Sequence, residues 1–212
     1  MADLMIYGIP QSTYVRSARM ACIEKGVSYT LQPEMPSSDT IRGLHPFRRV
    51  PVLRHGDFTL YETSAILRYV DEAFDGPPLS PREPKRRAQM EQWISAINCY
   101  FDGPMIRRLV LQYAFPSGPD GKPDRAVIDK AVPEVRRLLQ LIDEAVAEGP
   151  FLLGPQLTLP DLLLAPMMFY VAQTPEGGAM MKDTRNIPRS GAAIGARASY
   201  QETMPPPPPQ RQ

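Results

Sequence analysis

Residues 4–7 form a short apolar run that breaks at Gly8-Ile9-Pro10, the pattern of a buried strand entering a loop. Ser12 then precedes Val15, Ala18 and Cys22 at helical spacing, and Lys25-Gly26 supplies a basic last turn followed by a glycine stop. The run 27–31 reads as a second strand. Strand, helix, strand over about thirty residues is the order that a parallel pair with a crossover helix requires. Polar residues around 36–42 predict one irregular helix. The runs 50–53 and 58–60, separated by the turn signal His55-Gly56-Asp57, predict a hairpin. A third helix starts near Thr63, with Ile66, Val70 and Phe74 on one face. This part of the chain therefore reads βαβ followed by ββα.

Gly76-Pro77-Pro78-Leu79-Ser80-Pro81 cannot continue a helix, and beyond it only helical periodicity remains. The pattern predicts a mixed α/β domain over residues 1–76 and an all-helical domain over residues 84–200. The expected helices run over about 84–111, over about 127–147 and onward from Thr158. The second has Val132, Val135, Leu138, Leu139, Ile142 and Val146 on its buried face. Residues 116–123 between the first two are turn-rich. Thr158-Leu159-Pro160-Asp161 ahead of three leucines reads as a capping box with Asp in place of Glu, a helix start without catalytic meaning. Pro188, Gly191 and Gly195 weaken any helix in the last thirty residues. Residues 201–212, with five consecutive prolines at 205–209, are expected to form an extended tail.

Composition narrows the function. With 24 Lys and Arg against 23 Asp and Glu, nothing draws the chain to nucleic acid or to an anionic membrane. The two cysteines, Cys22 and Cys99, are far apart and lie in helical stretches, as small core residues in a reducing compartment do. The first residues do not have the pattern of a secretory signal, and no segment has the roughly 18 apolar residues of a membrane span. A soluble, cytoplasmic protein is the expectation.

Three short elements could carry chemistry: Gln11-Ser12-Thr13-Tyr14-Val15-Arg16, Arg49-Val50-Pro51-Val52, and Glu62-Thr63-Ser64-Ala65-Ile66. Their order and spacing on a βαβ-ββα frame resemble those of the glutathione S-transferases. YGIPQSTYVRSARMACIEKGVSY resembles the opening strand, serine loop and first helix of the serine-dependent theta and phi classes. HPFRRVPVL resembles the family's N-P-F-G-x-V-P-x-L segment, ETSAILRYV its E-S-x-A-I helix start, and GPQLTLPDLLLAP its carboxy-terminal capping motif. The likeness spans residues 4–172, and Arg197-Ala198-Ser199-Tyr200 resembles the family's last helix. His45 stands where the family has asparagine and Arg48 where it has glycine, which puts the conformation of that loop at issue. The tryptophan often seen in the terminal helix is missing.

The resemblance implies a thioredoxin-like amino-terminal domain that binds glutathione as co-substrate, an all-helical carboxy-terminal domain, no metal, and a homodimer. Ser12 would be the catalytic hydroxyl, with Thr13 or Tyr14 as alternative donors to the glutathione sulfur. Pro51 would be cis, presenting the Val50 main chain to the tripeptide; Glu62 and Thr63 would hold its γ-glutamyl end, and Arg49 a carboxylate. Met105, Arg108 and Tyr113 are expected in the wall of an apolar pocket for a small hydrophobic electrophile. The same thiolate could serve a glutathione-dependent isomerase, dehalogenase or peroxidase, and the fold also serves as a non-catalytic interaction module. A thiol–disulfide exchanger needs a cysteine at or beside position 12, where none stands. A Ser-His hydrolase finds no nucleophile elbow around His45 or His55.

Overall fold

The computed structural model describes residues 4–206 and divides the chain into two compact units. One holds the chain up to Leu79 and again from Ala196; the other is Ser80–Gly195.

The first unit is built on β1 (Leu4–Tyr7), α1 (Thr13–Glu24), β2 (Thr30–Gln32), α2 (Asp39–Leu44), β3 (Val52–His55), β4 (Phe58–Tyr61) and α3 (Thr63–Ala73). The strands form one sheet in the order β2-β1-β3-β4, with β1 and β2 parallel and the other pairings antiparallel. Strand β1 is buried on both sides, which is why it reads as an unbroken apolar run. Tyr7 packs with Ile41 and Val52 in a cluster that also takes in Met5, Leu44 and Val50. The second strand begins three residues later than the hydrophobic pattern suggests. Helix α1 ends in a Schellman motif, with Gly26 at φ +68°, its N–H on the Ile23 carbonyl and the Val27 N–H on the Cys22 carbonyl. That closure takes Val27 out of the strand.

The second unit is helical: α4 (Pro84–Ala96), a π-wound segment (Ile97–Val110), α5 (Leu111–Ala114), α6 (Arg125–Ala145), α7 (Leu159–Ala172), α8 (Pro175–Lys182) and α9 (Ile187–Gly195). The expected first long helix is thus wound as a π-helix in its middle. Pro104 lies inside that stretch and has no N–H for the α-helical ladder. Asp102 and Arg107, five residues apart, meet at 2.8 Å across the wider turn. Helix α6 buries Ile128, Ala131, Val135, Leu138, Leu139 and Ile142, whereas Val132 is only half-buried, one position off the buried face. At the start of α7, Asp161 accepts the Thr158 N–H and hydroxyl, both at 2.8 Å, and the Leu152 N–H at 2.8 Å. Burial pushes its carboxyl up to about 6 against those bonds.

The last helix, α10 (Ala198–Glu202), groups with the first unit. Residues 201 and 202 of the expected tail close this helix, and residues 207–212 lie outside the described residues. Among the described residues, no helix is long and apolar enough to cross a membrane.

Candidate functional site

Strand register gathers the three sequence elements. Tyr7 at the end of β1 is paired with Val52 at the start of β3, and Val52 with Tyr61 at the end of β4. The loop into α1, the Val50-Pro51 dipeptide and the Glu62-Thr63 start of α3 therefore all leave one end of the sheet.

The first of these carries Ser12, the N-cap of α1, in extended conformation (φ −67°, ψ 129°). Its Oγ accepts the Val15 N–H at 3.4 Å and its carbonyl accepts the Arg16 N–H at 3.0 Å. A hydroxyl has two acceptor lone pairs and one hydrogen, so capping leaves that hydrogen available to an anion. Ser12 and Tyr14 are half-buried, while Thr13 is 7% exposed.

Gly8 joins this start of α1 to the second element, at φ +147°. A Cβ there would collide with the Val15 side chain and stand 3.0 Å from the Val50 Cβ. The sequence alone did not single out Gly8; its position at the end of the strand run, ahead of Ile9-Pro10, is the available signal. The Val50–Pro51 peptide is cis.

The two departures in this segment have local explanations. His45 is 2% exposed, and its Nδ1 accepts the Phe47 N–H at 3.1 Å, the bond that an asparagine Oδ1 makes in an Asx turn. Arg48 takes φ +52°, the left-handed conformation for which glycine is the usual residue. The loop thus forms a turn with these side chains. Arg49 is exposed.

Because its Nδ1 is an acceptor, His45 is held neutral. Burial lowers its pKa, the nearby positive charge of Arg49 acts the same way, and the charge of Glu62 opposes them. Folding therefore excludes a proton that the unfolded chain takes up below about pH 6.5, so this contribution is present at neutral pH and is lost as pH falls below that value. His45→Asn keeps the acceptor and removes the titration. The variant is expected to lie within about 1 kcal/mol of wild type at pH 7.5 and to lose less stability at pH 5.5, by urea denaturation at both pH values.

Glu62 precedes α3 at φ +68°, ψ 114°, a strained geometry for a residue with a side chain, and its own side chain makes no cap hydrogen bond to this helix. The N–H groups of its first turn are thus suited to an anion. Thr63 is 7% exposed beside them. Two helix N-termini and an acid accordingly lie at one sheet end, with Arg49 and Glu62 both close enough to act on His45.

The remaining three expected residues belong to the helical unit. Met105 is 0% exposed, inside its core. Arg108 Nη2 bonds Glu134, and the Tyr113 hydroxyl donates to Glu176 Oε2 at 2.7 Å. Only Arg108 and Tyr113 of the three present surface to a ligand. Among the described residues, no group of three or more His, Cys, Asp or Glu could hold a metal ion.

Comparison with known proteins finds similarity along both units. Residues 6–78 match the family model for a glutathione S-transferase N-terminal domain, and residues 106–187 the model for a glutathione S-transferase C-terminal domain. The chain is 28% identical over 220 residues to glutathione S-transferase 3 of Zea mays, covering 98% of each protein. It is 30% identical over 162 residues to glutathione S-transferase 4 of the same plant, covering 74% of this chain and 72% of the relative. Among solved structures, the theta class glutathione S-transferase of Xanthomonas axonopodis pv. citri with glutathione bound superposes with a TM-score of 0.79 at 28% identity, over 96% of this chain and 97% of that one.

Proposed function

Because the chain belongs to the glutathione S-transferase family, we propose that Ser12 donates its hydroxyl hydrogen to the sulfur of bound glutathione and holds it as the thiolate. Glutathione transfer is the activity of this enzyme. The observation that carries the residue assignment is the common exit of the Ser12 loop, Val50-Pro51 and the α3 start from one end of the sheet. Val50 offers its main chain to the tripeptide backbone. The first turn of α3 with Thr63 takes the γ-glutamyl carboxylate, Glu62 its ammonium, and Arg49 the glycyl carboxylate.

An unperturbed thiol ionises near 8.5. A hydrogen bond to an anion contributes about 1.5–3 kcal/mol and a helix N-terminus about 0.3–1 kcal/mol, together enough to make thiolate dominant at neutral pH. The electrophile is a small hydrophobic molecule, held in a pocket of the helical unit with Arg108 and Tyr113 at its wall. In the transfer step the thiolate sulfur forms the new bond to the electrophile and the leaving group departs with the electron pair. The test is titration of thiolate absorbance in the enzyme–glutathione complex. A midpoint near or below neutrality is expected; a midpoint near 8.5, as for free thiol, overturns the assignment.

A homodimer belongs to the same reading. Phe47 (68% exposed), Phe58 (46%) and Tyr61 (37%) leave aromatic surface open on the first unit, which a second copy would cover. Sedimentation is expected to give twice the 23.7 kDa chain mass, and a single monomeric species at micromolar concentration contradicts it. We place the enzyme in the cytoplasm, where glutathione is kept reduced, with disposal of reactive electrophiles as its role.

A further inference from the structure

Arg16 is a charged residue with no exposed surface, one turn from Ser12. Its backbone N–H closes the first turn on the Ser12 carbonyl, and its side chain reaches the far end of the chain. Nε donates to Thr203 Oγ1 at 3.2 Å, and Nη2 donates to the Tyr200 carbonyl at 2.9 Å and to Met204 Sδ at 3.1 Å. The guanidinium lies 4.3 Å from the centre of the Tyr200 ring.

Two more residues of α1 grip the same segment. Arg19 Nη2 donates to the Glu202 carbonyl at 3.2 Å. At the other end of α1, Glu24 accepts Arg197 Nε at 2.6 Å, and also Arg197 Nη2 and Ser199 Oγ. Burial raises the Glu24 carboxyl, and the bonds from Arg197 and Ser199 with the guanidinium charge outweigh it, so the group stays ionised. Thr203 is itself held by its hydroxyl on the Ser199 carbonyl at 2.6 Å. A five-residue helix has no stability of its own. Helix α10 therefore exists because α1 holds it, and α1 is in turn splinted by α10.

The consequence is mechanical. A guanidinium cannot give up its proton, so a buried one needs all its acceptors in place or the helix that carries it must shift toward water. Three of those acceptors are on residues 200–204, and the helix that would shift begins at Ser12. We propose that the carboxy-terminal segment 198–204, clamped by Arg16, fixes the start of α1 and so sets the donor geometry of Ser12, making Arg16 a positioning residue of the transfer reaction. This rests on the assignment of Ser12 as thiolate donor.

The test compares full-length variants at the two ends of the splint. Thr203→Val removes the hydroxyl acceptor of Arg16 Nε, near the Ser12 end of α1; Glu24→Gln weakens the opposite end. Each is measured for thermal midpoint, the pKa of bound glutathione thiol, and kcat and KM. Thr203→Val is expected to raise the thiol pKa by about half a unit or more, lower kcat/KM at pH 6.5 about threefold and leave KM for glutathione nearly unchanged. Glu24→Gln, distant from Ser12, is expected to lower the thermal midpoint with a smaller thiol shift. Arg16→Lys, which keeps charge but not the fork, should behave as Thr203→Val, more severely. If Thr203→Val and Arg16→Lys are less stable yet keep the wild-type thiol pKa, the splint is only structural and the proposal fails. If wild-type thiol already titrates near 8.5, it is the Ser12 assignment that fails.

Discussion

Lys25→Met is expected to destabilise the protein by about 3–5 kcal/mol, the cost of leaving one member of a buried ion pair behind. The Lys25 and Asp71 side chains are 4% and 5% exposed, with Nζ and Oδ1 3.3 Å apart. Lys25 caps the end of α1 and Asp71 lies in the last turns of α3, so the pair ties together two helices of the sheet unit. Asp71 Oδ1 also accepts the Leu79 N–H at 2.9 Å, and the Lys25 ammonium reaches the Gly76 carbonyl at 3.5 Å. Methionine fills the lysine stem volume but leaves the carboxylate with one donor in a largely buried site. Lys25→Met/Asp71→Asn is expected to recover more than half of the loss, because a neutral amide still accepts the Leu79 N–H. Urea denaturation of the two single variants and the double gives the coupling. Additive losses in the double would mean that the ion pair contributes nothing specific.

The parts of this molecule that were legible in sequence are those decided by near neighbours. The Thr158/Asp161 box closes within four residues, and the α1 stop at Lys25-Gly26 within six. Strand β1 is buried on both faces, so its apolar run is unambiguous. The order βαβ-ββα and the helical second half follow from such local signals, and the site elements lie at their junctions. Whatever depends on distant partners could not be read. Helix α9 starts where Asp143, from α6, accepts the N–H groups of Asn186 at 2.6 Å and Ile187 at 2.9 Å. Helix α10 needs Arg16, nearly two hundred residues earlier, and the sequence shows Arg16 only as a charge near the first helix start. The expected helical domain of residues 84–200 accordingly gives up its last stretch to the first unit. The π winding around Pro104 was equally hidden, since apolar spacing at 3.6 and at 4.4 residues per turn diverges too little over one segment.

His45 and Arg48 show the reverse case, in which residues that depart from the family pattern still form a local turn. An imidazole Nδ1 replaces an amide oxygen as acceptor of the Phe47 N–H, and an arginine accepts φ +52° in place of glycine.

Ser12→Ala is expected to raise the pKa of bound glutathione thiol by about one to two units, since a hydrogen bond to an anion is worth roughly 1.5–3 kcal/mol and each unit corresponds to about 1.36 kcal/mol. At pH 6.5, where thiolate is then scarce, kcat/KM should fall by about 10- to 100-fold. The deficit should shrink as pH rises past 8.5, where the thiol ionises without help. KM for glutathione should change little if the tripeptide's termini are held, as proposed, by Arg49, Glu62 and Thr63 and not by Ser12. Alanine also removes the α1 cap, a loss of about 0.5–2 kcal/mol in stability, so a second variant is needed to separate the two roles. Ser12→Asp does this. Its carboxylate accepts the Val15 N–H as the serine does, keeping the helix start, but has no hydrogen to donate and repels a thiolate. The Asp variant should therefore be as stable as wild type and ionise the thiol even less readily than the Ala variant. A thiol titration unaltered by either substitution moves the donor role to Thr13 or Tyr14, the neighbouring hydroxyls at the head of the same helix.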